Sequence, residues 1–234
     1  MFLAEMFGTM TLIVLGDGVV ANVLLAKSKG QNSGWIVITA GWAFAVMSGI
    51  FVSAALGGPG SLNPAFQVAS IIQGGDAGAA IQNILGEFVG AFVGAILVWL
   101  LYLPHWAETK DAGLKLAVFS TGPAIRNPTL NLLTEVIATF MLGFIATAIG
   151  KATGVPGGVG PYLIGALIWG LGLSLGGPTG YALNPARDLG PRIAHFVLPI
   201  AGKGDSDWAY SWVPVVGPII GAIIAGFLGT AIFP

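Results

Sequence analysis

Charged side chains are scarce in this chain of 234 residues, because Asp, Glu, Lys and Arg together make up 8% of it, whereas hydrophobic residues make up 55%. An ordinary soluble domain carries about 25% charged residues. So few charges could not cover the surface of a water-soluble protein of this size, so lipid is the expected solvent. The net charge of −1 also argues against nucleic-acid binding, since no basic stripe is present to neutralise phosphates.

Cysteine is absent and histidine is nearly so. The lack of cysteine excludes disulfides, thiolate metal sites and a cysteine nucleophile. The two histidines, His105 and His195, lie far apart in the sequence, each in a segment that we expect at the membrane interface. We therefore expect no metal site and no cofactor. A basic segment and a small-residue cleavage site are also missing near residue 1, which predicts a mature membrane span from residue 2 onward.

Long apolar runs are what the chain has in abundance. A spanning helix needs about 20 mainly apolar residues, and six segments approach or exceed that length: 2–25, 35–56, 84–103, 130–150, 161–175 and 212–233. The linkers are short apart from a polar stretch over 104–130, which divides the chain into two halves of three spans each. The sequence therefore predicts an all-α membrane protein with six transmembrane helices.

Two further apolar segments, 64–72 and 185–196, are too short to cross a bilayer. Each follows a break rich in glycine and proline, at 57–60 and at 176–180. In lipid, unwound backbone persists only where it is buried in protein or lines a water-filled cavity. We therefore predict that both segments are re-entrant half-helices.

The two halves of the chain repeat each other. Glu5 opens the first span and Glu135 the fourth, and Leu-Asn-Pro-Ala follows the second span at 62–65 and the fifth span at 183–186. Because three spans per half is an odd number, the second half must lie inverted relative to the first. We expect one channel domain over 1–234, built of inverted repeats at about 1–104 and 130–234 that the loop 104–130 joins.

The repeated triplets suggest a specific chemistry. They comprise Asn63, Pro64 and Ala65 in the first half and Asn184, Pro185 and Ala186 in the second. Asparagine is a strong N-cap whose side-chain oxygen accepts a backbone N–H of the first turn, and proline is favoured at the next position. If both half-helices start near the middle of the bilayer, two positive helix ends face one lumen. Each asparagine NH₂ is then left to donate to a passing hydroxyl or water oxygen, while cations and protons are opposed.

The paired triplets, the six spans and the run Gly-Tyr-Ala-Leu-Asn-Pro-Ala-Arg-Asp-Leu-Gly-Pro-Arg at 180–192 resemble the aquaporin superfamily over essentially the whole chain. Asp188 directly after Arg187, with Arg192 four residues after Asp188, resembles the glycerol-facilitator branch, the aquaglyceroporins. This resemblance implies an aquaporin-like fold and a homotetramer in which each monomer holds one pore. It also implies a passive channel in the plasma membrane and no enzymatic activity.

The resemblance further assigns a selectivity filter, position by position. Arg187 matches the filter arginine, whose fixed charge offers rigid donors and repels cations. Tyr181 matches the aromatic wall, Gly172 the small residue that makes room for a carbon backbone, and Trp42 the aromatic residue of the second span. Glycerol would lay its hydrocarbon edge on the rings and turn its hydroxyls to Arg187 and to pore-lining carbonyls, for which the candidates are Gly60, Ser61, Leu62 and Ala182.

Acidic residues inside the spans are the remaining candidates. The resemblance implies that Glu5 and Glu135 each brace a re-entrant loop by accepting its backbone N–H groups; a proton relay is the alternative. Asp188 is expected to pair locally or to cap a helix. We expect Asp17 near a membrane face or a pore vestibule, and Glu87 at the interface where the third span starts.

Two features depart from the expected pattern. Ser61 stands where the family usually has a histidine before the first triplet, which leaves the pore diameter and any pH response there open. By resemblance both termini are cytoplasmic, an orientation that contradicts the positive-inside rule. It would place Lys151 inside and the following residues outside: Lys27, Lys29, Lys110, Lys115, Arg126 and Lys203.

The expected function is passive conduction of water and of small uncharged solutes such as glycerol, dihydroxyacetone, urea or undissociated lactic acid, with ions excluded. A water-selective channel is one alternative, although its filter would usually carry a histidine in the fifth span, where this chain has none. A secondary transporter would need a coupling-ion site. An intramembrane enzyme would need a base near Ser61 or Ser174, and no histidine or lysine has a usable spacing. A structural junction protein would need an occluded filter, which Gly172 argues against.

Overall fold

The computed structural model describes residues 1–152, 154, 156 and 158–233. Ten α-helices and no strands occur within these residues. The helices are α1 (Phe2–Leu24), α2 (Trp35–Ala55), α3 (Pro64–Ile72), α4 (Ala77–Leu101), α5 (Leu103–Glu108), α6 (Ala112–Phe119), α7 (Pro128–Lys151), α8 (Gly160–Leu175), α9 (Pro185–Val197) and α10 (Val213–Ile232).

Five helices, α1, α2, α4, α7 and α10, are long and apolar enough to cross a membrane, with lengths of 20 to 25 residues. The apolar helix α8 has 16 residues, which at about 1.5 Å per residue gives a rod of roughly 24 Å. Five of these six helices match predicted spans to within two residues at each end. The third span differs, since it begins at Ala77, where the Asp76 side chain accepts hydrogen bonds from the first turn.

Helices α3 and α9 are the two predicted half-helices. Each begins with proline directly after an asparagine N-cap. The Asn63 side-chain oxygen accepts the N–H of Ala65 at 3.0 Å, and that of Asn184 accepts the N–H of Ala186 at 3.0 Å. The capping that the sequence predicts is therefore present at both positions.

The stretch predicted as one polar loop, 104–130, contains two short helices instead. Helix α5 has six residues and α6 has eight. The Asp111 carboxylate caps α6 by accepting the N–H of Gly113 at 2.7 Å. Helices this short complete about two turns or fewer, which leaves too little sequence for an apolar period to be recognised.

The packing of the helices follows the repeat. Helix α1 packs against α2 and α4, and in the second half α7 packs against α8 and α10. Each half-helix packs against the last helix of the other half, α3 against α10 and α9 against α4. Glycine permits the closest approaches: a Cβ on Gly94 would lie 2.8 Å from the Cβ of Ile13. This exchange brings the N-termini of the two half-helices into the centre of the bundle.

Polarity is arranged as a bilayer requires. The outward side chains of the long helices are large and apolar, as at Leu101, Ile137 and Phe227. The acidic side chains of the long helices are buried among the helices, including Glu5 and Glu135, with at most 1% of their surface exposed. Intramembrane charges that face a bundle interior are functional candidates. Glu5 and Glu135 both contact the loops that precede the half-helices.

Candidate functional site

The two half-helices meet N-terminus to N-terminus. The Asn63 side-chain amide donates to the carbonyl of Leu183 at 2.8 Å, and the Asn184 amide donates to the carbonyl of Leu62 at 2.6 Å. The sequence prediction that each NH₂ is wholly free for solute is therefore wrong. An amide NH₂ has two N–H donors, so these bonds leave one on each asparagine for other acceptors. The reciprocal bonds tie the two repeats together at this point.

The backbone just before each triplet is in the left-handed region, with φ of 53° at Leu62 and 57° at Leu183. Such angles are uncommon for residues other than glycine. A buried carboxylate accepts hydrogen bonds from the backbone of each loop. Glu5 accepts the N–H of Gly60 at 3.0 Å and that of Leu62 at 2.6 Å.

Glu135 makes the matching contacts in the second half. It accepts the N–H groups of Ala182 and Leu183, both at 3.0 Å, and the hydroxyl of Thr179 at 2.6 Å. Glu5 similarly accepts the hydroxyl of Ser53 at 2.6 Å. Each carboxylate thus binds two backbone donors and one hydroxyl, and the predicted bracing role remains our proposal for both.

The predicted position of Glu87 is wrong. It is fully buried, not interfacial, and its carboxylate accepts the N–H of Asn63 at 2.9 Å. The error follows from the late start assigned to the third span, because α4 begins at Ala77 and places Glu87 about three turns inside the helix. The signal that could have found it is Asp76, a good N-cap before an alanine-rich segment.

Both asparagines, Asn63 and Asn184, line a cavity of about 410 Å³. Its wall includes three of the four predicted filter residues, Trp42, Tyr181 and Arg187, and all of the predicted carbonyl residues, Gly60, Ser61, Leu62 and Ala182. The Leu62 carbonyl already accepts the Asn184 amide. A carbonyl oxygen has two lone pairs, so a second acceptor position remains for a solute.

Gly172 does not line this cavity directly. A Cβ at this position would lie 2.7 Å from the hydroxyl oxygen of Tyr181 and 2.8 Å from Cγ2 of Thr39. The space beside this glycine, predicted to serve the solute, is taken by the Tyr181 ring. Trp35 supports that ring edge-on, with centroids 6.0 Å apart, and donates to the Gly172 carbonyl at 3.0 Å.

Arg187 lies at the start of α9 and is 7% exposed. Its guanidinium carbon stands 4.0 Å from the centre of the Trp42 ring, a cation–π arrangement. Its Nη1 donates to the carbonyl of Phe119 at 3.2 Å and lies 3.4 Å from Oδ1 of Asp17. Asp17 is fully buried behind the arginine. Its signal in the sequence was a lone charge between two glycines in an apolar span.

Asp188 and Arg192 form a second buried ion pair, at 2.8 Å, with neither side chain exposed. Asp188 also accepts the N–H and the hydroxyl of Thr121, both at 2.7 Å, and Arg192 donates to the carbonyl of Ser206 at 2.8 Å. These bonds join α9 to the segments on either side of it in space. They fix the chain next to Phe119, whose carbonyl contacts Arg187.

Several of the loop cations have partners within the protein. Lys27 pairs with Glu108 at 2.7 Å and lowers the pKa of that exposed carboxyl, while Asp207 binds Arg126 and raises its pKa. Lys115 donates to the carbonyl of Gly202 at 3.2 Å. These cations therefore contribute to the structure of the loops.

One of the two histidines, His195, is fully buried in α9, and its Nδ1 lies 2.8 Å from the hydroxyl of Ser206. Within the described part of the chain, no group of three or more acidic, histidine or cysteine side chains could hold a metal ion.

Comparison with known proteins decides the family. Residues 1–228 match the family model described as "Major intrinsic protein". The chain belongs to the major intrinsic protein family. A "Probable glycerol uptake facilitator protein" of Thermotoga maritima is 55% identical over 233 residues, which is 99% of each chain. A "Glycerol uptake facilitator protein" of Streptococcus pneumoniae is 53% identical over 222 residues, which is 94% of each.

A solved structure agrees with the fold. The "X-ray structure of the aquaglyceroporin from Plasmodium falciparum" superposes with a TM-score of 0.85, covers 99% of this chain and 95% of its own, and is 28% identical. Together with the family match, this likeness identifies the bundle of five long apolar helices, the shorter apolar helix α8 and two half-helices as the aquaporin-like fold.

Proposed function

We propose that this member of the major intrinsic protein family is a passive channel for glycerol, other small uncharged solutes and water. One observation carries the proposal: a single cavity is bordered by both half-helix asparagines and by Trp42, Tyr181 and Arg187. The names of the relatives, glycerol uptake facilitators from two bacteria, support glycerol as the solute.

The wall suits a molecule that is apolar on one side and polar on the other. Trp42 and Tyr181 present aromatic surface, on which the CH edge of glycerol can lie. Arg187 has five N–H donors. Those on Nη1 are used by the Phe119 carbonyl and by Asp17. The remaining donors and the nearby carbonyls replace water around the hydroxyl groups, so that a polyol, urea, dihydroxyacetone or undissociated lactic acid passes without a large desolvation cost.

Ions are excluded by the same elements. The positive ends of α3 and α9 meet at the two asparagines, and a helix N-terminus carries about half a positive charge. Each asparagine amide can donate a hydrogen bond to a solute, and neither asparagine carries a negative charge. A cation or proton entering this section would lose water ligands without gaining an anionic partner.

Two alternatives are less well supported. A water-selective channel would usually carry a filter histidine in the fifth span, where this chain has none. A secondary transporter would need free carboxylates for a coupling ion. The carboxylates of the long helices that could serve each accept a bond or ion pair from the protein: Glu5, Asp17, Glu87 and Glu135.

The assembly and location belong to the same proposal. We infer a homotetramer in the plasma membrane with cytoplasmic termini, each chain holding one pore, and repeats at about 1–104 and 130–234. Native mass spectrometry tests the tetramer. Maleimide labelling of single cysteines placed at residues 2 and 233 in intact cells tests the side, and labelling by an impermeant reagent would overturn it.

Tracer flux tests the channel against the transporter. Purified protein in liposomes should take up radiolabelled glycerol at a rate proportional to glycerol concentration and unchanged by an imposed pH or sodium gradient. Saturable uptake that responds to either gradient would reject a channel.

A further inference from the structure

We propose that Asp17 is a positioning residue of the filter, which holds the guanidinium of Arg187 against the pore wall and thereby sets how well a polyol passes relative to water. This inference rests on the proposed function. Asp17 touches no solute in it, because it is fully buried and does not line the cavity. It acts through Arg187.

The contact is an ion pair between two buried side chains. Asp17 Oδ1 lies 3.4 Å from Arg187 Nη1, and the two side chains are 0% and 8% exposed. The other oxygen, Oδ2, is buried and has no hydrogen-bond partner in the described protein. Burying an isolated carboxylate in an apolar helix costs free energy, and such residues are usually functional. Arg187 supplies the positive charge that compensates the carboxylate of Asp17.

The charges around the filter balance in pairs. Asp188 is occupied by Arg192 at 2.8 Å, and its second oxygen is taken by Thr121. Asp188 is therefore not free to act as the counterion of Arg187, and Asp17 takes that part. The filter keeps the N–H donors of the guanidinium with little net charge.

Helix α1 supports the filter from behind at two consecutive residues. A Cβ on Gly16 would lie 2.5 Å from Cε3 of Trp42, so the tryptophan ring rests on this glycine. The next residue, Asp17, contacts the arginine that covers that ring. The filter arginine is thus held on three sides, by Asp17, by the Phe119 carbonyl and by the face of Trp42.

Removing the carboxylate releases one of these three sides. Nη1 then keeps only the Phe119 carbonyl, and the guanidinium gains solvation by turning toward the water of the lumen. A guanidinium in the lumen narrows the section, which obstructs a three-carbon solute more than it obstructs water. The ratio of glycerol to water permeability should therefore fall in Asp17→Val, and by less in Asp17→Asn, which keeps an acceptor oxygen at the same place.

A double-mutant cycle tests this against a merely structural role. Stopped-flow permeabilities of proteoliposomes are compared for wild type, Asp17→Val, Arg187→Val and the double variant, with Thr9→Val as a control that removes another buried polar group of α1. We expect the glycerol-to-water ratio to fall at least about threefold in Asp17→Val and to stay unchanged when the same change is made on Arg187→Val, since residues in contact couple. Thr9→Val should match wild type.

A melting curve of each detergent-purified variant supplies a second, independent reading. Arg187→Val leaves Asp17 buried without a partner, a change that is strongly destabilising, so adding Asp17→Val should raise the melting temperature again. Three results would overturn the inference and leave the channel intact. The first is an equal effect of Asp17→Val on the permeability ratio in wild type and in Arg187→Val. The others are an unchanged glycerol-to-water ratio in well-folded Asp17→Val and Asp17→Asn, and a melting temperature of Arg187→Val that Asp17→Val does not raise. Wild-type vesicles that pass water but no glycerol would overturn both.

Discussion

Gly172 and Tyr181 fit together so closely that a Cβ on the glycine would lie 2.7 Å from the hydroxyl oxygen of the tyrosine. The missing side chain makes room for an aromatic ring, and the ring in turn forms one wall of the cavity. The width of the proposed filter therefore depends on a glycine that lies behind the wall.

Substituting Gly172 should close the pore to glycerol. In Gly172→Phe the added ring pushes Tyr181 into the lumen, and overpacking of this kind also costs about 1–3 kcal/mol of stability. Stopped-flow light scattering should show glycerol influx lost and water flux reduced less. Gly170→Phe is the matched control, because a Cβ there meets no atom within 4 Å. Glycerol influx that survives Gly172→Phe would reject this account of the wall.

Glu135→Gln should destabilise the second loop. The carboxylate accepts two backbone N–H groups and one hydroxyl, whereas a glutamine amide has one oxygen and brings two donors of its own. A buried donor left without a partner costs about 1–3 kcal/mol, so the melting temperature should fall clearly. Glu108→Gln, which breaks only the exposed pair with Lys27, should change it little. Equal melting of the two variants would contradict the bracing role.

Asn184→Asp should admit cations. The substitution replaces the amide that donates to the Leu62 carbonyl at 2.6 Å with a carboxylate that repels this oxygen and offsets the positive helix ends. Proton and sodium leak into dye-loaded vesicles should rise. Asn127→Asp is the control, since Asn127 caps α7 at an exposed position and an aspartate caps equally well. A tight Asn184→Asp channel would show that the helix ends do not govern ion exclusion.

Arg192→Lys should be far more damaging than Arg126→Lys. Arg192 is fully buried and donates to Asp188, to Thr121 and to the carbonyls of two loop residues, a fork that a lysine does not reproduce. Acceptors left unpaired cost about 1–3 kcal/mol each, so melting should fall. In the pair of Arg126 with Asp207 the arginine side chain is half exposed, and the loss of this pair should be nearly neutral. A melting temperature as high as that of Arg126→Lys would contradict this account of Arg192.

The spans and half-helices were predictable because each can be recognised within a short stretch of sequence. Bilayer thickness sets the length of an apolar span, and an N-cap residue marks where a helix begins. Asn-Pro after a glycine-rich break indicated the start of α3 and of α9, and both starts are where the pattern placed them. Family resemblance, in turn, named candidate filter positions that no periodicity could indicate.

What escaped prediction depends on contacts between distant residues. Asp17 and Arg187 are separated by 170 positions, and only the packing of the whole bundle brings them together. Glu87 was misplaced because one missed cap, Asp76, shifted the start of α4. The asparagine amides were predicted to be free because the sequence does not reveal that each half-helix faces the carbonyl of the other loop.

The most direct test of the central claim is the shrinkage and re-swelling of proteoliposomes mixed with glycerol and, separately, with sucrose. A glycerol channel lets the vesicles shrink and then re-swell rapidly in glycerol, because the solute follows the water, while in sucrose they stay shrunken. Vesicles that shrink fast in both solutions and do not re-swell in glycerol would conduct water alone, and that result would contradict the account.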